Sequence, residues 1–192
     1  MRGLRVAILL AAGSSRRFGR ANKLLVRTGG LRLIDRTLAI ARAAPVARVV
    51  VVTGPDRARV TQAARGPRTT VVHARDHDQG MGASLAAGLA ALRLREREVV
   101  VMLGDMPAVP ATLAARLWRA LRPGDAGVRP VSRGRPGHPV VLRLPLAQMP
   151  AGDAGAGRGM RLRTVAGPRG CVLDVDTRAM LARAVTKRGV AR

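Results

Sequence analysis

Four short runs of β-branched and apolar residues limit what this chain can become more than any other feature. They are Leu4 to Leu10, Ala47 to Thr53 (ARVVVVT), Thr69 to His73 (TTVVH) and Glu98 to Leu103 (EVVVML). None alternates apolar with polar residues, so each reads as a strand buried on both faces, the pattern of a parallel sheet. Between them the spacing turns helical. Ile34, Leu38 and Ala41 recur at i, i+4 and i+7; Leu85, Leu89 and Leu92 repeat that spacing; Leu113, Leu117 and Leu121 follow i, i+4 and i+8. Pro45, Gly54-Pro55 and Gly66-Pro67 punctuate the units. Strand alternating with helix predicts a three-layer α/β domain with right-handed crossovers and a mostly parallel sheet. Further on, Val128 to Ser132 and His138 to Leu142 are expected to pair antiparallel around a turn at 133–137. Ala151 to Gly159 reads as a Gly/Ala-rich loop. Cys171 to Val175 reads as a last strand, leading into a helix that Thr177 caps and that runs to about Thr186. There is no internal repeat, and 1–192 reads as one domain.

Size and charge narrow the function. A chain of 192 residues with 47% apolar content can bury a sizeable core. No apolar run approaches the roughly 18 residues of a membrane span, so no membrane association is expected. Arg2 and Arg5 before Val6 to Ala12 imitate a secretory leader. Cleavage there would destroy the motif that follows, so the run reads as the first strand of a cytoplasmic protein. The single cysteine, Cys171, excludes an intrachain disulfide framework and reads as a core residue. The net charge is +24, from 35 basic and 11 acidic residues; Lys23 and Lys187 are the only lysines. The arginines are scattered along the chain, and Phe18 and Trp118 are the only aromatics, too few to build a stacking platform for single strands. No specific nucleic-acid partner is expected; the charge instead supplies a positive field for small phosphorylated anions.

The segment Leu10-Ala-Ala-Gly-Ser-Ser-Arg-Arg-Phe-Gly19, followed by Lys23, begins where the first strand ends. In open α/β sheets, ligands sit at the carboxyl ends of the strands. Small residues at Ala11, Ala12 and Gly13 allow close backbone approach, and successive N–H groups there can cradle phosphate oxygens. Ser15 adds a hydroxyl, and Arg17 and Lys23 add positive charge where a triphosphate would lie. The spacing is not that of a Walker loop. Asp105, in Leu103-Gly-Asp-Met-Pro107, sits at the carboxyl end of another strand and suits Mg²⁺, which takes one or two carboxylates with phosphate oxygens and water. Asp174 and Asp176 face one side if their segment is extended. Asp176, nearer the strand end, is the expected second metal ligand. His73 and His77 lack a clear third ligand for a metal, and Trp118 reads as packing.

These motifs together resemble the MobA-like nucleotidyltransferases, and within them the sequence is most similar to the molybdenum cofactor cytidylyltransferases. Gly80-Met-Gly-Ala-Ser-Leu-Ala-Ala-Gly-Leu89 resembles the family's nucleotide-binding glycine-serine segment, Arg135-Pro-Gly-His-Pro139 its acceptor-pocket segment, and Asp174-Val-Asp-Thr177 its late D-[IV]-D-T motif. The resemblance spans essentially the whole chain. It departs at residues 152–158, where a glycine is inserted, and after Thr177, where Arg178-Ala-Met180 replaces the usual proline and acidic residues. It implies a single Rossmann-like domain that binds CTP through Leu10, Ala11, Ala12, Gly13, Ser15, Lys23, Gly80, Gly82 and Ser84. It further implies Mg²⁺ on Asp105 and Asp176, a molybdopterin-type acceptor near Pro136, Gly137 and His138, and catalysis by Arg17, Lys23 and Asp105. A molybdenum hydroxylase apoenzyme is an implied partner. Ala12 is the position where guanylyl-transferring members often carry glycine, so guanylyl transfer stays open beside cytidylyl transfer, as does a non-catalytic carrier of the cofactor.

Overall fold

The computed structural model describes residues 4–15, 18, 21–144 and 160–181. Strand β1 (Leu4–Ala11) is followed by a small antiparallel hairpin, β2 (Arg27–Thr28) and β3 (Leu31–Arg32), and by helix α1 (Leu33–Ala43). Next come β4 (Arg48–Thr53), α2 (Arg57–Ala64), β5 (Thr69–His73), α3 (Met81–Ala90), β6 (Glu96–Leu103) and α4 (Leu113–Ala120). The last described strands are β7 (Gly127–Ser132), β8 (Arg135–Pro136), β9 (Val140–Arg143) and β10 (Arg163–Ala166).

The main sheet runs β10-β7-β9-β6-β1-β4-β5, with β8 paired to β7. β1 lies parallel between β4 and β6, and β4 runs parallel to β5. β9 is antiparallel to both β6 and β7, whereas β10 runs parallel to β7. Alternate residues of β1 divide the core. Ala7, Leu9 and Ala11 join residues of α1, α2 and α4 on one face; Val6, Ile8 and Leu10 join Leu85 of α3 on the other. Both faces are covered, which is why the strand sequences are apolar throughout rather than at every second position. α3 lies close to the sheet because residue 88 is glycine: a Cβ there would come within 2.8 Å of Ile8 Cγ2 and 3.0 Å of Val52 Cγ2.

Most expected elements are present, β5 with the bounds read from the sequence. Leu92 and Leu121 fall just past the ends of α3 and α4. The expected last strand is not there. Arg169–Val172 form a short 3-10 helix and residues 173–176 have no regular structure. Cys171 and Val175 are buried, but the backbone bonds of this segment go to loops: His138 N–H donates to Cys171 O (2.8 Å) and Val175 N–H to Asp105 O (2.9 Å). Its apolar side chains report burial, not ladder pairing. The strand slot beside β7 is taken by β10, whose residues alternate between half-buried and exposed. Thr177 does cap a helical turn at 178–181, its Oγ1 accepting from Met180 N–H at 3.2 Å. The 151–159 loop and the rest of the C-terminal helix lie outside the described residues, and no described helix is long and apolar enough to cross a membrane.

Candidate functional site

The site grows from two neighbouring strand ends. β1 and β6 are parallel and in register up to Leu10 opposite Leu103, so the loops that follow them emerge side by side. Gly104 N–H donates to Leu10 O (2.9 Å), and Thr37 Oγ1 donates to Gly104 O (3.2 Å), fixing the loop that carries Asp105. On the other flank, a Cβ on Gly54 would collide with the Ala12 carbonyl, so the loop after β4 closes directly on the first loop.

Asp105 Oδ2 accepts from Lys23 Nζ at 2.7 Å, and Asp176 Oδ1 accepts from the same ammonium at 2.9 Å. Three segments distant in sequence thus meet at one cationic point. Burial works to lower the Lys23 pKa, but Asp105 and Asp176 outweigh it and hold it above 10.5. Lys23 is itself braced. Its backbone N–H donates to Ser15 Oγ (3.2 Å), Ser15 adopts φ 53°, and buried Asn22 caps the short helix Lys23–Leu25 by accepting from Leu24 N–H at 3.0 Å. Asn22 was not singled out from the sequence; an asparagine directly before a charged helical turn is the signal that would have found it. Asp174 is exposed, while Asp176 is half-buried beside Lys23.

A cleft of about 490 Å³ opens next to this point. Leu10, Ala12, Gly13, Gly80, Ser84 and Asp105 line it, together with Ser14, His77, Asp78 and Met81, which were not expected there. A Cβ on Gly13 would meet nothing, so this loop faces open space. Gly80, at φ 107°, turns the chain into α3 and leaves the first turn of that helix on the cleft wall, where unpaired N–H groups and the helix dipole favour an anion. Ala11 and Gly82 are buried and Ser15 holds Lys23, so these three support the cleft rather than line it. Arg17 lies outside the described residues.

Pro136, Gly137 and His138 do not line the cleft. Pro136 is exposed, and Gly137 packs so tightly on Cys171 that a Cβ would strike its carbonyl. Gly137 and His138 therefore adjoin the segment that carries Asp176, whereas Pro136 pairs with Val131 of β7. The His138 ring reaches a small internal cavity with Thr37, Met106 and Val109, and its Nδ1 is buried without a partner. Burial, aided by the Arg129 charge and only partly opposed by a bond to Val101, pulls its pKa down to about 4.

Known proteins share this architecture. The chain is 33% identical over 159 residues to the nicotine blue oxidoreductase of Paenarthrobacter nicotinovorans, covering 78% of each chain. It is 28% identical over 139 residues to the molybdenum cofactor cytidylyltransferase of Escherichia coli, covering 72% of this chain and 69% of that one. It is 30% identical over 139 residues to the molybdenum cofactor guanylyltransferase of a Shewanella strain, covering 72% and 67%. The crystal structure of Rv0371c from Mycobacterium tuberculosis superposes with a TM-score of 0.79 at 28% identity, covering 97% of this chain and 100% of that one. The same protein's manganese complex superposes with a TM-score of 0.73 at 25% identity, covering 95% and 98%. Residues 7–166, from the first strand through β10, match the model of the MobA-like NTP transferase domain, and the chain belongs to that family of nucleotidyltransferases.

Proposed function

We propose that this protein transfers a cytidylyl group from CTP to a molybdopterin-type cofactor in the cytoplasm, with 1–192 acting as one domain. The observation that carries the reading is the meeting of Asp105 and Asp176 on Lys23, with Asp105 itself lining a cleft walled by a small-residue loop and a helix N-terminus. A terminal phosphate oxygen of the acceptor attacks the α-phosphorus of CTP. The bond to the β-phosphate oxygen breaks and pyrophosphate leaves. The acceptor phosphate is ionised at neutral pH, so no side-chain nucleophile is required; positioning and charge neutralisation do the catalysis. Lys23, together with Arg17, neutralises the developing charge, and the N–H groups of 10–13 and of the first turn of α3 hold phosphate oxygens.

Asp105 and Asp176 fit a divalent cation, because both carboxylates already converge on one positive centre. When bound, Mg²⁺ supplies charge neutralisation to the triphosphate. Gly137 and His138 are assigned to the acceptor side through their contact with the segment bearing Asp176, and Pro136 as their neighbour in the same loop. A molybdenum hydroxylase apoenzyme is the proposed recipient of the product.

Guanylyl transfer is the second reading, supported by the relative of that name. A panel of each NTP with Mg²⁺ and molybdopterin cofactor, scored by pyrophosphate release, separates the two. CTP is expected to be preferred, and Asp105→Asn is expected to remove turnover while leaving a folded chain. Pyrophosphate release with GTP alone would establish the second reading. Failure of all the nucleotides to release pyrophosphate would overturn transfer altogether and favour either a non-catalytic cofactor carrier or the redox chemistry in the name of the Paenarthrobacter relative.

A further inference from the structure

The end of the sheet opposite the cleft carries a second, larger concavity. Arg5, near the start of β1, and Arg97, near the start of β6, stand at its edge with Arg119 of α4 and Arg143 of β9. From Arg5 to Leu10 the strand covers about 17 Å, so groove and cleft open on opposite ends of the same strands. The groove has a volume of about 970 Å³. Its floor is apolar, with Pro45, Trp118, Leu121 and Leu144.

The charges there do not balance. Glu98 is the one carboxylate in the groove, and it is shared between Arg5 (2.9 Å) and Arg143 (3.4 Å). Arg97 and Arg119 are exposed and have no acidic partner among the described residues. The guanidinium of Arg5 lies 4.9 Å over the Trp118 ring, joining the cationic edge to the apolar floor.

We propose that this groove docks a segment of a partner protein in which carboxylates alternate with apolar residues. Charge selects the occupant. A second copy of this chain would set arginine against arginine at a net charge of +24. The chain's own residues 145–159, which follow the groove, hold one carboxylate, Asp153, offset by Arg158, so they do not supply the missing negative charge. Nucleic acid would satisfy the arginines but not the apolar floor, and Trp118, at 5% exposure, offers no face for a base to stack on. An acidic-apolar segment satisfies both. Because the groove lies away from the cleft, such a partner docks while nucleotide enters and leaves.

Trp118 is the only tryptophan and the chain has no tyrosine, so its emission reports on the groove directly. The probes are a short amidated peptide of alternating glutamate and leucine, a polyglutamate of equal length, and an oligothymidylate, each titrated into the full chain at physiological salt. The glutamate-leucine peptide is expected to shift Trp118 emission saturably and at least about tenfold more tightly than the other two probes. The double variant Arg97→Glu/Arg119→Glu, altered only at exposed positions, is expected to weaken that binding about tenfold or more, with an unchanged circular dichroism spectrum. Any of three results overturns the proposal: no saturable shift, equal affinity for polyglutamate or oligothymidylate, or undiminished binding by a folded double variant.

Discussion

Lys23 spends most of its hydrogen-bonding capacity on two carboxylates 82 and 153 residues away in the chain, and both lose their shared cation if it is removed. Its raised pKa means that the folded state holds the proton more tightly than the unfolded chain. The resulting stabilisation is complete below 10.5 and is lost as pH rises through the folded value. Lys23→Ala is expected to lower kcat/KM about 100-fold or more, as removal of one preorganised charge contact does. The same variant leaves Asp105 and Asp176 facing each other, so Mn²⁺ or Mg²⁺ is expected to raise its melting temperature more than that of the unaltered protein. Equal shifts in a thermal-melt titration would show that the carboxylates do not share a cation site. Asp176→Asn is expected to raise the Mg²⁺ concentration for half-maximal rate while Asp174→Asn leaves it alone, since Asp174 is exposed and only Asp176 reaches Lys23. His138 behaves in the opposite sense to Lys23. Burial depresses its pKa to about 4, so between the ordinary value of 6.5 and 4 the unfolded chain binds the extra proton and stability falls with falling pH. An NMR titration of the ring Cε1–H is expected to show its midpoint near 4; a midpoint above 6 would contradict the buried, partnerless Nδ1.

The elements are joined by one buried ion pair far from the cleft. Arg48, at the start of β4, makes paired bonds to Glu96, at the start of β6, both at 2.7 Å. Its remaining donors reach Thr70 Oγ1 on β5 (3.0 Å) and Ala91 O at the end of α3 (2.8 Å), and Glu96 Oε2 also accepts from Arg93 N–H (2.7 Å). One guanidinium therefore ties β4, β5, β6 and α3 together through side chains, adding to the backbone ladders that join β4 to β5 and, through β1, to β6. Burial raises the Glu96 carboxyl pKa, but Arg48 and the Arg93 amide outweigh it and bring it below 4.5. The stabilisation is present above 4.5 and is lost as pH falls through the lower folded value. Glu96→Gln is expected to cost about 3–5 kcal/mol, because it leaves Arg48 charged and buried. It should also flatten the acid limb of the stability profile below pH 4.5, measured by urea unfolding at a series of pH values. A loss under about 1 kcal/mol would place the pair among ordinary surface contacts.

At the scale of the whole molecule, +24 on 192 residues compresses many like charges onto a small surface. Self-repulsion of this kind destabilises the compact state and is screened by salt. Raising NaCl from about 0.02 M to about 0.5 M is expected to increase the melting temperature by about 2–4 °C, the size that about 1 kcal/mol produces in a chain of this length. A flat or falling melting temperature would mean that the repulsion screened by salt is no larger than the pairs salt also weakens, such as Arg163–Asp125 and Arg32–Asp35. The charge is also not uniform: at one end of the sheet the described lining of the cleft holds Asp78 and Asp105 and no arginine, and at the other four arginines edge a groove with an apolar floor.

The central strands β1, β4, β5 and β6 and the helices α1, α3 and α4 were legible in the sequence, because an inner strand needs an unbroken apolar run and a covering helix needs a 3.6-residue stripe; α2, which buries only Val60, Ala63 and Ala64, carried too short a stripe to be read. The loops that carry the cleft were legible too, since Gly13, Gly80 and Asp105 each follow or precede such an element. Periodicity reports how a segment is buried, not what buries it. That is why the apolar stretch 171–175 read as a strand although its backbone bonds go to the loops at 105 and 138, and why the polar β10 passed unnoticed on the sheet edge. It is also why the pairing of Lys23 with Asp105 and Asp176, across 82 and 153 residues, had no local trace. Extended geometry left Asp174 and Asp176 equivalent by direction. The irregular path after the 3-10 helix leaves the first exposed and brings the second to the ammonium, and only long-range packing decides such a path.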